Sequence, residues 1–417
     1  MKGSGIGWLL GLPKGVTVAA LSAALATTVG VDLTSAGPAP VAAAAPAPST
    51  TAAPAPSTTA APAPTTTTAP APTTTAVPAP APTTTAVPAH APARALAPSP
   101  PARSAPPARP APAPAGARSP RAVPFGVYVG AGDPAGVAAF AAATGTHPRY
   151  ASDYLPTDQG WAGMTQASTL SWLTGAWKGS GYTLVLGVPM IPTDASGTPQ
   201  GTLAAGAAGQ YDASFVTLAQ ELVAGGEGDA VLRLGWEFNG DWYPWSVTDA
   251  TDAADYAAYF RAIVTAMRSV PGQAFCFVWN PNDGGSYGDA YTPAQAYPGN
   301  AYVDDVGIDV YDQCWSSPQT PAAAWAEASA GTWGLDWAVG FAAAQGKPVA
   351  VPEWGLDGGV PQGMGDDPAF VSTFGAWIAA NDVAFTSYFD DDVADGSHDL
   401  LDGSFPDALA AFRTVFG

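Results

Sequence analysis

Val231-Leu232-Arg233-Leu234-Gly235-Trp236-Glu237-Phe238-Asn239-Gly240 is an apolar run interrupted by one arginine and broken by a single glutamate. Pro348-Val349-Ala350-Val351-Pro352-Glu353-Trp354-Gly355 ends in the same way. Short runs that stay apolar throughout, without alternation, are what parallel strands covered on both faces require. Working outward, strand candidates fall at 125–130, 149–154, 183–190, 230–236, 274–280, 306–311, 348–354 and 384–389. Ala-rich segments of helical period, bounded by Asp, Gly or Pro, lie between them at 134–143, 169–178, 208–224, 253–269, 335–345, 368–380 and 405–416. The weakest lies at 293–297, between strands five and six. Eight alternations in residues 123–417 predict an α/β (β/α)8 TIM barrel. A doubly wound open sheet is the alternative. It is disfavoured because Val129-Gly130-Ala131-Gly132-Asp133, after the first strand, lacks the third glycine of a dinucleotide fingerprint.

The rest of the chain is of another kind. Residues 37–122 hold 24 Pro and neither an aromatic nor an acidic residue. Such a segment cannot bury enough apolar surface to offset its ordering entropy, so it reads as a disordered linker. Its Ala-Pro-Ala-Pro and Ser/Thr runs suit an extended polyproline II spacer and O-glycan attachment. Residues 1–36 read as an export signal, with Lys2 and Lys14 before an uncharged run to Val31 and small residues Thr34-Ser35-Ala36; an uncleaved membrane anchor is the alternative. The expected location is secreted or cell-envelope associated. Segment by segment, residues 123–417 carry 33 acidic and 7 basic side chains, a net −26. That charge disfavours nucleic acid and anionic membrane surfaces as partners, unless the N-terminal segment stays in a membrane. A monomer is expected.

In a barrel, chemistry sits at the C-terminal ends of the strands. The chain has only five glutamates: Glu221, Glu227, Glu237, Glu327 and Glu353. Glu221 and Glu327 fall on helix candidates and Glu227 in a Gly-rich turn, so these three read as solvated. Glu237 and Glu353 end apolar runs beside Trp, and a carboxylate there must be paired, protonated or functional. On strands four and seven they face each other across the barrel mouth.

The stretch Arg233-Leu-Gly-Trp-Glu237-Phe-Asn239-Gly240-Asp-Trp242-Tyr243-Pro-Trp245 resembles the acid/base motif of glycoside hydrolase family 26, the β-mannanase family. Pro352-Glu353-Trp354-Gly355 is similar to its nucleophile motif. The resemblance implies a retaining (β/α)8 hydrolase of a polysaccharide, with Glu237 as acid/base, Glu353 as nucleophile and no cofactor. It also implies that Tyr311, ending strand six, hydrogen-bonds the nucleophile. One position departs. The family's mannanases usually have His directly before the acid/base and most of the wider clan has Asn, whereas here it is Trp236; the substrate therefore stays open among mannan, β-1,3-xylan and mixed-linkage glucan. A module that only binds polysaccharide is the alternative of a different class.

Arg233 either orients a carboxylate or forms a structural salt bridge, and Asn239 contacts substrate or fixes its loop. Trp236, Trp242, Trp245, Trp279, Trp315 and Trp354 fall at strand ends or the loops after them. About half are expected to stack on sugar rings, the rest to be core. Trp172, Trp177, Trp325, Trp337 and Trp377, at helical positions, read as core. His147 and Arg149 are candidates to line the site. With three His in all, His90 among them, no metal site is expected. A Cys276–Cys314 disulfide is left open. The loop from Asp390-Asp391-Asp392 through Asp399 and Asp402 reads as a solvated acidic surface rather than a calcium site.

Overall fold

The computed structural model describes residues 119–417 except Asp395. The signal segment, nearly all of the linker and His90 lie outside the described residues. Eight strands form a closed parallel barrel: β1 Phe125–Tyr128, β2 Tyr150–Tyr154, β3 Thr183–Val188, β4 Val231–Leu234, β5 Cys276–Trp279, β6 Asp305–Tyr311, β7 Val349–Gly355 and β8 Val383–Phe389. Closure comes from β1 pairing with β8, Phe125 opposite Thr386 and Tyr128 opposite Phe389. The helices are α1 Pro134–Thr144, α2 Gly160–Thr165, α3 Ala167–Trp177, α4 Leu203–Ala207, α5 Asp212–Gly225, α6 Ala250–Arg268, α7 Pro321–Ala330, α8 Leu335–Gln345, α9 Pro368–Ala380 and α10 Pro406–Val415. The expected alternation is present throughout. The weak element between β5 and β6 is a 3-10 turn, Pro293–Ala296.

Three of the aspartates serve helix starts. Asp133, Asp249 and Asp367 each accept backbone N–H groups of the first turn of α1, α6 and α9. That satisfies donors that have no partner inside the helix and places negative charge at the positive end of the helix dipole. α7 has a legible start too: Thr320 caps it and Pro321 follows at the first helical position.

Val185, Val231, Val278, Ala350 and Phe385 form a small cluster apart from the main core. These residues come from β3, β4, β5, β7 and β8. Side chains alternate along a strand, so two residues past Val231 the same face of β4 presents Arg233. Arg149 and His147 sit at the start of β2, where Arg149 N–H donates to Phe125 O and both side chains are exposed. That is the end of the barrel opposite the strand C-termini, so neither lines the candidate site. The first described residues contact the barrel: Arg121 donates to the Thr414 carbonyl at 2.7 Å. Among the described residues no helix is long and apolar enough to cross a membrane.

Candidate active site

β4 stops at Leu234, and the chain turns twice into the left-handed region, at Gly235 (φ +54°) and Glu237 (φ +53°). A Cβ on Gly235 would lie 2.4 Å from the Met190 sulfur, so only glycine fits there. At Glu237 a non-glycine residue bears the strained conformation, which persists only where the surroundings impose it. They do: Glu237 N–H donates to Asn280 O at 2.7 Å, and Gly240 N–H to Glu237 O at 3.0 Å. The turn aims the Glu237 carboxyl across the mouth toward Glu353 on β7. One carboxylate oxygen each of Glu237, Asp309 and Glu353 lies within 4.8 Å of the others, and all three residues are buried.

Arg233 supplies the cation for this acidic group. Its Nη1 donates to Glu353 Oε2 at 2.9 Å and to the Tyr154 hydroxyl at 3.0 Å, its Nε to Asn280 Oδ1 at 3.1 Å, and its Nη2 pairs with Asp309. Tyr311 donates to Glu353 Oε1 at 2.7 Å, and Tyr154 to Oε2 at 2.5 Å. Glu237 receives one side-chain donor, Trp242 Nε1 at 2.9 Å. The indole lies so close over Gly240 that a Cβ there would come within 2.3 Å of it.

Burial first, and then the negative charges of Glu353 and Asp309, push the Glu237 carboxyl well above the usual carboxylate range; the Trp242 hydrogen bond and Arg233 pull the other way. Glu237 therefore holds its proton while Glu353 is surrounded by donors. Two carboxyls in unequal environments across one bond can act as acid and nucleophile.

The structure sorts the remaining sequence candidates. Tyr311 meets Glu353 as the resemblance implied. Arg233 is fully buried and cannot touch a substrate; of the two roles open to it, it orients a carboxylate. Asn239 fixes its loop, with both side-chain atoms taken by Asn282 and Gly284. Of the six tryptophans, Trp236, Trp245, Trp279 and Trp354 are wholly buried and are no sugar platforms. Trp236 Nε1 donates to the Tyr243 hydroxyl and Trp245 Nε1 to Trp236 O. Trp279 packs outward on Phe341 of α8. Trp354 follows Glu353, so strand alternation turns it outward onto Phe374 and Phe412. Trp242 is partly open and Trp315 is 74 % exposed. Trp172, expected in the core, is 56 % exposed.

Two glutamates expected in solvent are engaged. Glu227 is buried, and Glu327 accepts from the Trp315 and Ser316 amides, holding the loop after β6. Cys276 opens β5 and Cys314 follows β6, and no disulfide joins them. In the acidic loop Asp392 accepts from Ser397, and Asp390 from the Leu400 amide.

Residues the sequence reading passed over are Tyr154, Asp309, Asn280 and His398. Tyr154 and Asp309 had a signal, one ending a strand candidate and the other two places before Tyr311. His398 had none. Its ring is buried 4.8 Å from Tyr311, with Nδ1 2.6 Å from Leu356 O, which assigns the proton to Nδ1. Burial keeps it neutral by lowering its pKa.

A closed (β/α)8 barrel with two buried carboxyls facing each other across its mouth is an arrangement that glycoside hydrolases use. Residues 221–325 match the family described as Glycosyl hydrolase family 26. Over 121 residues it is 35 % identical to Endoglucanase H of Acetivibrio thermocellus, a stretch covering 28 % of this chain and 13 % of that protein. Over 164 residues it is 32 % identical to the mannan endo-1,4-beta-mannosidase of Bifidobacterium adolescentis, covering 38 % and 16 %. The chain thus spans less than a fifth of the length of either relative. In three dimensions it is similar to a modular endo-beta-1,4-mannanase from Cellulomonas fimi, with TM-score 0.52 and 19 % identity over 71 % of each chain. It is similar also to the catalytic domain of a Bacillus sp. JAMB-750 endo-beta-1,4-mannanase, with TM-score 0.51 and 18 % identity over 72 % and 86 %.

Proposed function

We propose that the protein is a secreted, retaining endo-β-glycanase that hydrolyses β-mannan or a closely related polysaccharide. The observation that carries this reading is the Glu237–Glu353 pair, with oxygens within 4.8 Å. Retaining glycosidases hold their carboxyl groups about 5–5.5 Å apart, and inverting ones need about 6.5–9.5 Å to admit a water. In the first step Glu353 attacks the anomeric carbon while Glu237 gives its proton to the leaving oxygen. In the second, Glu237 takes a proton from water as the water displaces Glu353. Trp242 beside the acid and exposed Trp315 after β6 offer stacking faces for sugar rings. Export rests on the N-terminal segment alone.

The test is reducing-sugar release from a polysaccharide panel, with the anomer of the first product read by NMR. Mannan should be cut with retention, and Glu353→Gln should lower turnover at least about 10^4-fold. No release from any polysaccharide would sink the enzyme reading. The match to an endoglucanase and Trp236 before the acid favour a second reading, mixed-linkage glucan or β-1,3-xylan. Release from lichenan or xylan but not mannan would establish it.

A further inference from the structure

We infer that Tyr154 is a positioning residue for Glu353, and that it selects Oε1 as the oxygen that attacks the anomeric carbon. The inference rests on the glycosidase reading and adds a residue and an atom to it.

A carboxylate oxygen offers two in-plane lone pairs. Glu353 Oε2 receives two donors, the Tyr154 hydroxyl at 2.5 Å and Arg233 Nη1 at 2.9 Å. Oε1 receives one, the Tyr311 hydroxyl at 2.7 Å. Among the described residues only Oε1 keeps a lone pair open. Without Tyr154, Oε2 would have one open as well and the two oxygens would compete.

Tyr154 is built to stay in place. Its ring stands edge-on to Tyr128 at 5.1 Å and against Trp236 at 5.5 Å, and its oxygen accepts from Arg233 while its proton goes to Glu353. The titratable groups around Glu353 are Tyr128 and Tyr154 from β1 and β2, Arg233, Glu237 and Tyr243 from β4 and the loop after it, Asp309 and Tyr311 on β6, and His398 after β8. Among the described residues, besides Arg233 only the two phenols donate to Glu353.

The consequence falls on both chemical steps. As Oε1–C1 forms, C1–O to the leaving group breaks and the Glu237 proton passes to that oxygen. Oε2 becomes the ester carbonyl, still held by Tyr154 and Arg233. When water displaces the ester, the electron pair of Oε1–C1 returns to Glu353, and Tyr154 stabilises the departing carboxylate. Tyr154→Phe leaves a more basic carboxylate, which is a poorer leaving group.

The experiment compares wild type with Tyr154→Phe on aryl glycosides of the sugar released from the panel. Expected are a fall in kcat of about 10- to 100-fold, the effect of one hydrogen bond to a charged group, a parallel fall in KM, and a burst of aryl alcohol as the ester accumulates. The acid limb of the rate profile should move to higher pH. A 2-fluoro sugar should trap the ester on Oε1, with Tyr154 on Oε2. Because the chain has five glutamates, carbon-13 labelling of their carboxyls gives five signals; the Glu353 signal, identified by its loss in Glu353→Gln, should titrate at higher pH in Tyr154→Phe. Should that variant not fold, 3-fluorotyrosine at position 154, a stronger donor, should move the signal to lower pH. An unmoved signal and acid limb would overturn the positioning role, and an ester on Oε2 would overturn the choice of oxygen. A wild type inactive on every glycan fails the glycosidase reading instead, and the carbon-13 titration still decides whether Tyr154 holds Glu353.

Discussion

Two buried acidic groups follow one another at the ends of β6 and β7, and they solve the same problem in opposite ways. Asp309 and Glu353, with Glu237, share a guanidinium, two phenols and an indole. A few residues on, Asp312 has both carboxylate oxygens buried without a hydrogen-bond partner. Its charged neighbours are Asp357, which accepts from Gln313, and Asp367, which caps α9. Burial, with Asp367 and Asp357, pushes the Asp312 carboxyl up to about 8. The first group is supplied with donors, four of them from Arg233, Tyr154, Tyr311 and Trp242; Asp312 has none and holds its proton instead. Both groups are buried, and the supply of donors, not depth, is what differs between them.

Removing the cation should abolish the contrast at the greatest cost. Arg233→Leu leaves Glu353 and Asp309 buried and unpaired, and unfolding in urea should show a loss of about 3–5 kcal/mol. The second group should respond to pH. Asp312 binds its proton more tightly folded than unfolded, so its contribution is complete below about pH 4 and is lost as pH rises toward about 8. Its slope is at most about 1.4 kcal/mol per pH unit. Asp312→Asn should flatten that decline and be the more stable protein at pH 8, as denaturant midpoints at pH 5 and 8 would show; a variant that declines as steeply as wild type would refute the assignment. The smallest effect falls on the acid itself. Trp242→Phe removes the hydrogen bond that favours ionised Glu237, so the alkaline limb of kcat/KM should move to higher pH, with a fall of about tenfold.

Both groups show how far a sequence can be read. Glu237 and Glu353 stood out because a scarce residue type ended two apolar runs, and the barrel followed from eight such runs. The charge balance was not legible, because it depends on which side chains converge on the axis. Arg233, Tyr154 and Asp309 are far apart in sequence and meet only on closure. Trp354 is a different case: alternation already placed it opposite Glu353, so its burial against α9 could have been read. The burial of Trp245 could not, because it lies in the loop beyond β4 and is held there by its indole N–H on Trp236 O.

Glu237 sits in a backbone conformation that glycine or asparagine would adopt more readily. At this position the mutational landscape therefore slopes away from activity: a glycine here relaxes the turn, and the barrel it leaves cannot protonate a leaving group. Alanine is a poor deletion control, since it inherits the strain without the carboxyl. Stabilising this scaffold by selecting for fold alone would tend to erase its acid first, so a library here needs a screen that reads hydrolysis.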